Sequence, residues 1–347
     1  MKKKVSQQKL LYRWKRKVYA TLMFAFCFGT FVFIQARFAS IQARFNRISA
    51  SLDSLKKPRL DQRPQIAFLF IARNRLPLEF VWDAFFKGED GKFSIYVHSR
   101  PGFVLNEATT RSKYFLDRQL NDSIQVDWGE STMIEAERVL LRHALRDSFN
   151  HRFVFLSDSC IPLYSFSYTY NYIMSTPTSF VDSFADTKDS RYNPRMNPII
   201  PVRNWRKGSQ RKSLPEFWRD RPVPAEGWKE HNCIPDEHYV QTLLSQKGVD
   251  SELTRRSLTH SAWDLSSSKS NERRGWHPMT YKFSDATPDL IQSIKGIDNI
   301  NYETEYRREW CSSKGKPSPC FLFARKFTRP AALRLLREVN FSFTIIA

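Results

Sequence analysis

Two neighbouring acids, Asp236 and Glu237, stand at the predicted start of a helix, directly after Pro235. Proline is favoured at the first position of a helix, and acids there interact favourably with the helix dipole. A structural role of this kind would account for both side chains. A carboxylate at the mouth of a basic cleft could instead take a proton from a substrate, as a general base.

Three polar clusters follow predicted buried strands of this chain. They are Arg73-Asn74-Arg75, His98-Ser99-Arg100 and Ser157-Asp158-Ser159. The carboxyl ends of parallel strands meet at one edge of a sheet, and ligands of doubly wound sheets bind beyond that edge. We therefore expect the clusters to converge there, although each alone could be an ordinary loop.

The segments around these clusters predict the strands and helices that position them. Apolar runs predict strands at 66–72, 93–98, 123–127 and 153–156, of which the first and last are continuous, as in strands covered on both faces. Helical spacing predicts helices at 78–86 and 132–147. This order is typical of a doubly wound α/β sheet. The sequence has no signature of a dinucleotide-binding, P-loop or α/β-hydrolase site.

The N-terminal residues predict a membrane anchor. Residues 1–17 contain eight basic residues and no acid, and the uncharged apolar run 18–34 follows. As a helix this run covers about 25 Å, which suits a thin bilayer. The positive-inside rule then places 1–17 in the cytosol, the anchor 18–36 in the membrane and the rest in the lumen. A cleaved signal peptide is the alternative, but the run is long for one.

Composition predicts one large lumenal domain behind a stem. Residues 37–64 have the polar character of a stem, and 65–347 are long enough to bury a full core. The formal net charge is +20, of which the tail supplies eight, leaving +12. That charge suits an anionic ligand such as a nucleotide diphosphate or an acidic polysaccharide, although ordinary solvated surface explains single charges equally well. A lumenal location excludes nucleic acid as a partner.

Cysteines and sequons fit the same topology. Four of the five cysteines follow the anchor and would face an oxidising lumen. Cys311 and Cys320 are the best candidate disulfide, with the connectivity of the four formally open. Asn121 and Asn340 each begin an N-glycosylation sequon. No ligand spacing typical of a structural zinc site occurs in the sequence.

Seven segments, in order, resemble the core-2/I-branching β-1,6-N-acetylglucosaminyltransferases, most closely their plant branch. They are IAFLFIARNRLP, WGESTMIEAERVLLRHAL, FVFLSDSCIPLY, WRKGSQ, IPDEHYVQTLL, LTHSAW and PCFLFARKF. The resemblance implies a GT-A-like, Rossmann-like fold, with a nucleotide-sugar half at 65–178 and an acceptor and catalytic half at 179–347. It also implies a type II membrane protein of the Golgi.

The resemblance further implies inverting transfer from a UDP-sugar to a glycan or glycoprotein acceptor, without a metal or other cofactor. The chain has no Asp-x-Asp triplet, so positive side chains would neutralise the departing UDP. The family's catalytic base matches Glu237, and its C-terminal basic residue matches Lys326. An upstream arginine of the family matches Arg307 or Arg308. Arg73 is a further candidate for the UDP-sugar site.

Two departures from the family pattern bear on these expectations. Animal members carry an aspartate that contacts the uridine after the second strand, and Ser99 occupies that place here. The family's Lys-Gly-Ser-Gln motif leads into a strand and a helix, whereas here Gln210 is followed at once by Arg211. About 30 residues are therefore missing. Loss of an internal strand predicts lower stability and impaired activity.

Three functions remain open at this point. The leading hypothesis is a Golgi enzyme that transfers N-acetylglucosamine or a similar sugar. Transfer of glucuronic acid onto arabinogalactan-type glycans is an alternative. A lumenal binding protein without turnover is another, which the missing segment favours and the presence of Glu237 and Lys326 opposes.

Overall fold

The computed structural model describes residues 35, 63–127, 129–186, 192–208, 237–263, 278–313 and 315–338. Most of the predicted anchor 18–36 and stem 37–64 lies outside the described residues, as do the junction after Gln210 and the sequon at Asn340. Within the described ranges, no helix combines the length and apolarity needed to cross a bilayer.

A parallel sheet forms the first half of the domain. Strand β1 (Gln65–Ile71) lies between β2 (Phe93–His98) and β3 (Asn150–Ser157). Helices α1 (Glu79–Phe86) and α2 (Thr132–Ala144) connect these strands. The predicted elements at 66–72, 93–98, 153–156, 78–86 and 132–147 are thereby confirmed, with shifted ends.

The central strand is covered on both faces, as its continuous apolarity predicts. Phe68 and Phe70 belong to a buried cluster with the aromatic side chains of α1, whereas Ala67 and Leu69 pack with Val139 and Leu140 of α2. Successive residues of a strand point to opposite faces. Both faces of β1 are therefore buried, and the sheet lies between two apolar clusters.

The strand predicted at 123–127 is wrong, because these residues are irregular in the structure. The outer edge of β2 is already occupied, since the amide of Val97 donates to Arg118 and its carbonyl accepts from Leu120. The amide of Ile124 donates instead to the Nε2 atom of His98, at 3.0 Å. A side chain thus replaces the strand pairing that residues 123–127 would need.

The described residues after β3 contain short strands and four further α-helices. Strand β14 (Phe323–Arg325) lies between β4 (Ile161–Pro162) and β9 (Thr259–Ser261). Four two-stranded pairs are present among the described residues: β5 (Ser179–Phe180) with β8 (Leu253–Thr254), β6 (Phe184–Ala185) with β7 (Arg206–Lys207), β10 (Asn299–Tyr302) with β11 (Arg307–Trp310), and β12 (Ser312–Ser313) with β13 (Lys316–Pro317).

The four helices have recognisable ends. They are α3 (Phe166–Ser175), α4 (Tyr239–Lys247), α5 (Pro288–Lys295) and α6 (Arg329–Glu338). The side chains of Ser165 and Thr287 accept from backbone amides at the starts of α3 and α5. Gly248 ends α4 in the left-handed conformation, at φ 71°, which glycine adopts without steric cost.

Candidate functional site

A cleft of about 530 Å³ opens at the carboxyl edge of the parallel sheet, and we call it the sheet-edge cleft. Each of the three polar clusters contributes residues to it. Its charged and polar lining includes Arg73, His98, Arg100, Asp158 and, from β14, Arg325. The predicted convergence of the clusters is therefore confirmed, and the cleft combines three arginines with three acids, Asp127, Glu137 and Asp158.

The β14 strand brings a fourth cation to this region. Strand β14 pairs with β4, which begins just after the cluster at 157–159, so Arg325 and Lys326 reach the sheet edge. The backbone carbonyl of Lys326 accepts from Tyr281 at 2.8 Å, and the amide of Phe327 donates to Ser159 at 3.0 Å. These bonds fix the backbone of Lys326 and Phe327, and with it the origin of the Lys326 side chain.

Asp158 lies among these cations. Burial raises the pKa of Asp158, against a hydrogen bond from the backbone of Arg73 and the charges of Arg325, Arg73 and Lys326. The positive charges of Arg325, Arg73 and Lys326 thus all act on the Asp158 carboxyl. A polyanion beside that carboxyl would meet all three cations at once.

His98 is neutral in this setting. Its Nε2 atom accepts a hydrogen bond from the amide of Ile124, which requires that nitrogen to be unprotonated. Burial also lowers the pKa of His98. The positive charges that line the sheet-edge cleft thus come from arginine rather than from histidine.

Glu237 lies beside another cation, Lys207, and is not among the residues that line the sheet-edge cleft. The Nζ atom of Lys207 lies 2.9 Å from Glu237 Oε2, and the two side chains are 20% and 15% exposed. The amide of Gly208 donates to the carbonyl of Glu237 at 3.0 Å. A Cβ atom on Gly208 would lie 2.5 Å from the carbonyl oxygen of Asp182, so only glycine permits this approach.

The residue after Glu237 anchors this arrangement. The imidazole of His238 stacks on Trp205, with ring centroids 4.4 Å apart, and its Nε2 atom lies 2.8 Å from Asp186 Oδ2. His238 is 2% exposed and Asp186 is 3% exposed. Helix α4 begins at Tyr239, two residues after Glu237, and the predicted helix-starting residues Pro235 and Asp236 lie outside the described part of the chain. The position of the Glu237 backbone is thus set by buried contacts.

Two more cavities are related to the sheet-edge cleft through shared lining residues. A hairpin cleft of about 570 Å³ is lined by Asp182, Phe184, His260, Ser261 and residues 299–304. A middle cavity of about 500 Å³ shares Phe155 and Glu137 with the sheet-edge cleft, and Asp182 with the hairpin cleft. The three cavities therefore adjoin one another in a row.

Glu237 and Lys207 are not among the lining residues of the middle cavity or the hairpin cleft, but their neighbours contact that lining. Lys207 is the strand partner of Phe184, which lines the hairpin cleft. Gly208 lies against Asp182, which lines both cavities. A ligand that extended from the sheet-edge cleft toward the hairpin cleft would consequently have the arginines of the first cleft at one end and the Glu237 carboxylate near the other.

The structure separates the remaining predicted donor-site residues from this cation cluster. Arg307 contacts Glu305 at 3.0 Å and Glu309 at 2.6 Å, and Arg308 donates to Asn301 at 3.0 Å on the β10–β11 hairpin. Neither arginine is among the residues that line the sheet-edge cleft. Ser99 is fully buried, and its hydroxyl donates to the carbonyl of Asn74 at 3.1 Å.

Sequence reasoning singled out Arg73 and Lys326 but did not choose Arg325, Arg100 or Lys207. Arg325 and Lys207 stand within segments that carry the family resemblance, and Arg100 stands within one of the three clusters. The two adjacent cations of FARKF, with a phenylalanine at each end of the segment, were an available signal for Arg325. No sequence signal pairs Lys207 with Glu237, because the contact depends on β7 meeting the start of α4.

The cysteines and the described sequon have clear positions. A disulfide joins Cys311 to Cys320, with the Cα atoms 5.1 Å apart, and Cys160 is a buried free thiol. Cys233 lies outside the described residues. Asn121 is exposed in a turn, where a glycan would have room. Among the residues with described positions, no three His, Cys, Asp or Glu side chains are grouped as metal ligands would be.

Two comparisons with known proteins bear on this chain. A family model described as Core-2/I-Branching enzyme matches residues 66–295. Glycosyltransferase BC10 from Oryza sativa subsp. japonica is 69% identical over 302 residues, which cover 78% of this chain and 76% of the rice protein.

The rice comparison also contains a difference in length. Because 78% of 347 residues is about 271, the 302 aligned positions exceed the matched part of this chain by about 31. The rice protein thus has about that many residues without a counterpart here. This length agrees with the segment predicted to be missing, and its place after Gln210 stays a prediction.

Proposed function

Since the chain belongs to the plant core-2/I-branching family of glycosyltransferases, we propose that it transfers a sugar from a UDP-sugar to a glycan hydroxyl, with inversion and without a metal. The observation that carries this proposal is the sheet-edge cleft, where Arg73, Arg100 and Arg325 line the carboxyl edge of a parallel sheet. Ligands of such sheets bind at this edge. A nucleotide diphosphate is the anion expected there.

The cations around Asp158 suit a departing diphosphate. Transfer breaks the bond between the anomeric carbon and the diphosphate oxygen, and the electron pair leaves with UDP. Positive groups fixed in advance at the place where this charge develops lower the barrier. The positive charges of Lys326, Arg325 and Arg73 all act on the Asp158 carboxyl. They would stabilise the leaving group in a sequence that has no Asp-x-Asp triplet to hold a cation.

Glu237 suits the other half of the reaction. The acceptor hydroxyl oxygen would attack the anomeric carbon from the side opposite UDP, and its proton would pass to the Glu237 carboxylate. Lys207 lies 2.9 Å from Oε2, so Oε1 would receive the proton. The acceptor would approach through the hairpin cleft, because Asp182 and Phe184 of that cleft lie beside Gly208 and Lys207.

Location and donor complete the proposal. The basic segment 1–17 and the apolar run 18–34 support a single-pass Golgi membrane protein with a lumenal catalytic domain. N-acetylglucosamine is the first candidate sugar, and glucuronic acid on arabinogalactan-type glycans is the alternative. A second candidate function is glycan or nucleotide binding without turnover, which the absence of about 31 residues present in the rice relative favours.

A Glu237→Gln substitution tests the assignment of the base. Loss of a general base lowers turnover by about 10²–10⁴-fold, or about 3–5 kcal/mol. Glutamine keeps the size of the side chain, so we expect UDP affinity by calorimetry to be unchanged. Lys326→Ala should instead weaken UDP binding. Glu252→Gln is the matched control, because Glu252 is an exposed carboxylate on the same half of the domain.

The outcomes separate the candidate functions. Sugar transfer would be measured with the full chain, a panel of UDP-sugars and plant glycan acceptors. Full turnover by Glu237→Gln would reject this residue as the base. UDP binding without any transfer by the unmodified chain would favour the binding-protein function, and absence of UDP binding would reject the donor site.

A further inference from the structure

The β10–β11 hairpin has two chemically different faces. Opposed residues of an antiparallel pair lie on the same face, and successive residues of one strand lie on opposite faces. The register pairs Asn299 with Trp310 and Asn301 with Arg308, so these four residues share the outer face. The inner face carries Ile300, Tyr302, Arg307 and Glu309.

The outer face is exposed and combines an aromatic ring with polar donors. Trp310 is 60% exposed, and the guanidinium carbon of Arg308 lies 5.6 Å from its ring centroid. The Nε atom of Arg308 donates to Asn301 Oδ1 at 3.0 Å. An indole ring left in water offers a large apolar area, while amide and guanidinium groups donate hydrogen bonds beside it. Sugars present apolar C–H faces and hydroxyl groups, and this set of groups matches both.

This outer face is continuous with the hairpin cleft. Asn299 and Asn301 line that cleft together with Ile300 and Tyr302 of the inner face, and the two asparagines are the strand partners of Trp310 and Arg308. A glycan whose reacting end enters the hairpin cleft would therefore leave it across this face. The continuity distinguishes Trp310 from an aromatic residue exposed at random on the surface.

The hairpin is held rigid beneath this face. Tyr302 donates to Asp182 Oδ1 at 2.5 Å, and Arg307 joins Glu305 to Glu309 through contacts of 3.0 and 2.6 Å. The disulfide from Cys311 to Cys320 begins at the residue next to Trp310. A surface fixed before binding loses less conformational entropy when a flexible chain binds it.

We propose that the Trp310 face, defined as Asn299, Asn301, Arg308 and Trp310, binds sugar units of the acceptor glycan beyond the unit that receives the transferred sugar. This inference rests on the proposed function and adds a preference for long acceptors over short ones. Trp310 covers a sugar ring, and Arg308 and Asn301 bind its hydroxyl groups. The face thereby selects an extended glycan chain rather than a free mono- or disaccharide.

The test compares the binding of short and long glycans by matched variants. The probe is an array of plant cell-wall oligosaccharides, each present as a disaccharide and as a longer oligomer, without donor. The full chain should bind at least one oligomer more tightly than its disaccharide, by about tenfold, which corresponds to about 1.4 kcal/mol. Trp310→Ala and Arg308→Ala should lose this difference, and Trp310→Phe should keep part of it because a ring remains.

The chain offers a close control. Phe283 is 58% exposed beneath the guanidinium of Arg334, at 5.1 Å, and lies outside the residues that line the hairpin cleft. Phe283→Ala should leave the preference for long glycans unchanged. Equal thermal midpoints of Trp310→Ala and the unmodified chain would show that the variant is folded.

Three results would bear on the inference differently. A length preference that persists in Trp310→Ala would overturn it, and so would an unmodified chain without any length preference. UDP affinity, measured on the same preparations, reports the donor site alone. Loss of UDP binding in the unmodified chain would reject the proposed function, whatever the array shows for Trp310.

Discussion

Inserting the stretch that the rice relative has and this chain lacks between Gln210 and Arg211 should make the protein more stable. The structural reason is the state of β3, which is an edge strand among the described strands of the parallel sheet. Its residues Phe153, Val154 and Phe155 are only partly buried, and all three line the middle cavity. A strand of this apolarity is normally covered on both faces and paired on both edges.

The size of the effect follows from those three side chains. Full burial of a large apolar side chain contributes about 1.5–3 kcal/mol, so covering the exposed part of each, about a third at most, adds about 0.5–1 kcal/mol. Three such residues give about 2 kcal/mol. For a domain of this size each kcal/mol raises the thermal midpoint by about 2–4 °C, and the expected rise is therefore about 4–8 °C.

Thermal unfolding of the full chain with and without the insertion measures this difference. The matched control is a Gly and Ser linker of equal length at the same junction. Lengthening a loop changes its closure entropy only slightly, so the linker should leave the midpoint nearly unchanged. Equal midpoints for the rice insertion and the original chain would refute the reasoning, as would an equal rise with the linker.

Two further predictions concern buried charges. Arg256 is 1% exposed and donates to the Cys320 carbonyl at 2.6 Å and to the Tyr172 hydroxyl at 2.8 Å. Arg256→Ala should therefore destabilise the protein by about 3–5 kcal/mol in chemical denaturation, because packing and both hydrogen bonds are lost. The exposed Arg203→Ala should change stability by less than about 0.5 kcal/mol. Burial raises the pKa of Asp158, so the folded state holds the proton more tightly than the unfolded state does. The free energy of unfolding therefore falls as the pH rises from the ordinary range of an Asp carboxyl through the raised pKa. Asp158→Asn should therefore gain stability relative to the original chain as the pH rises above the ordinary range of an Asp carboxyl, and a difference that does not change with pH would contradict the burial argument.

The first half of the fold was predictable because its signals are local. The runs 66–72 and 153–156 are apolar at every position, which predicts strands, and α1 and α2 have helical spacing. The clusters after these strands then converge by the geometry of parallel strands alone. The error at 123–127 came from a contact that no local pattern contains, since the side chain of His98 binds the amide of Ile124.

The second half was less predictable because two-residue strands leave almost no periodicity. Strands β6 and β7 are paired through only two residues each, yet this pairing puts Lys207 beside Phe184 and near Glu237. The sequence marks Glu237 as a candidate base only through the resemblance. Lys207, which contacts Glu237, stands 30 positions earlier in the chain. The local spacing of residues does not predict a long-range contact of that kind.

Arg307 and Arg308 show most clearly how adjacency in sequence differs from adjacency in a site. Both were equal candidates for the same anion, but successive residues of a strand point to opposite faces. Arg307 consequently enters the inner network of Glu305 and Glu309, while Arg308 lies outside beside Trp310 and Asn301. The two side chains therefore cannot share one ligand while the hairpin is intact. Substitution of Arg307 should act on the stability of the hairpin, and substitution of Arg308 on what its outer face binds.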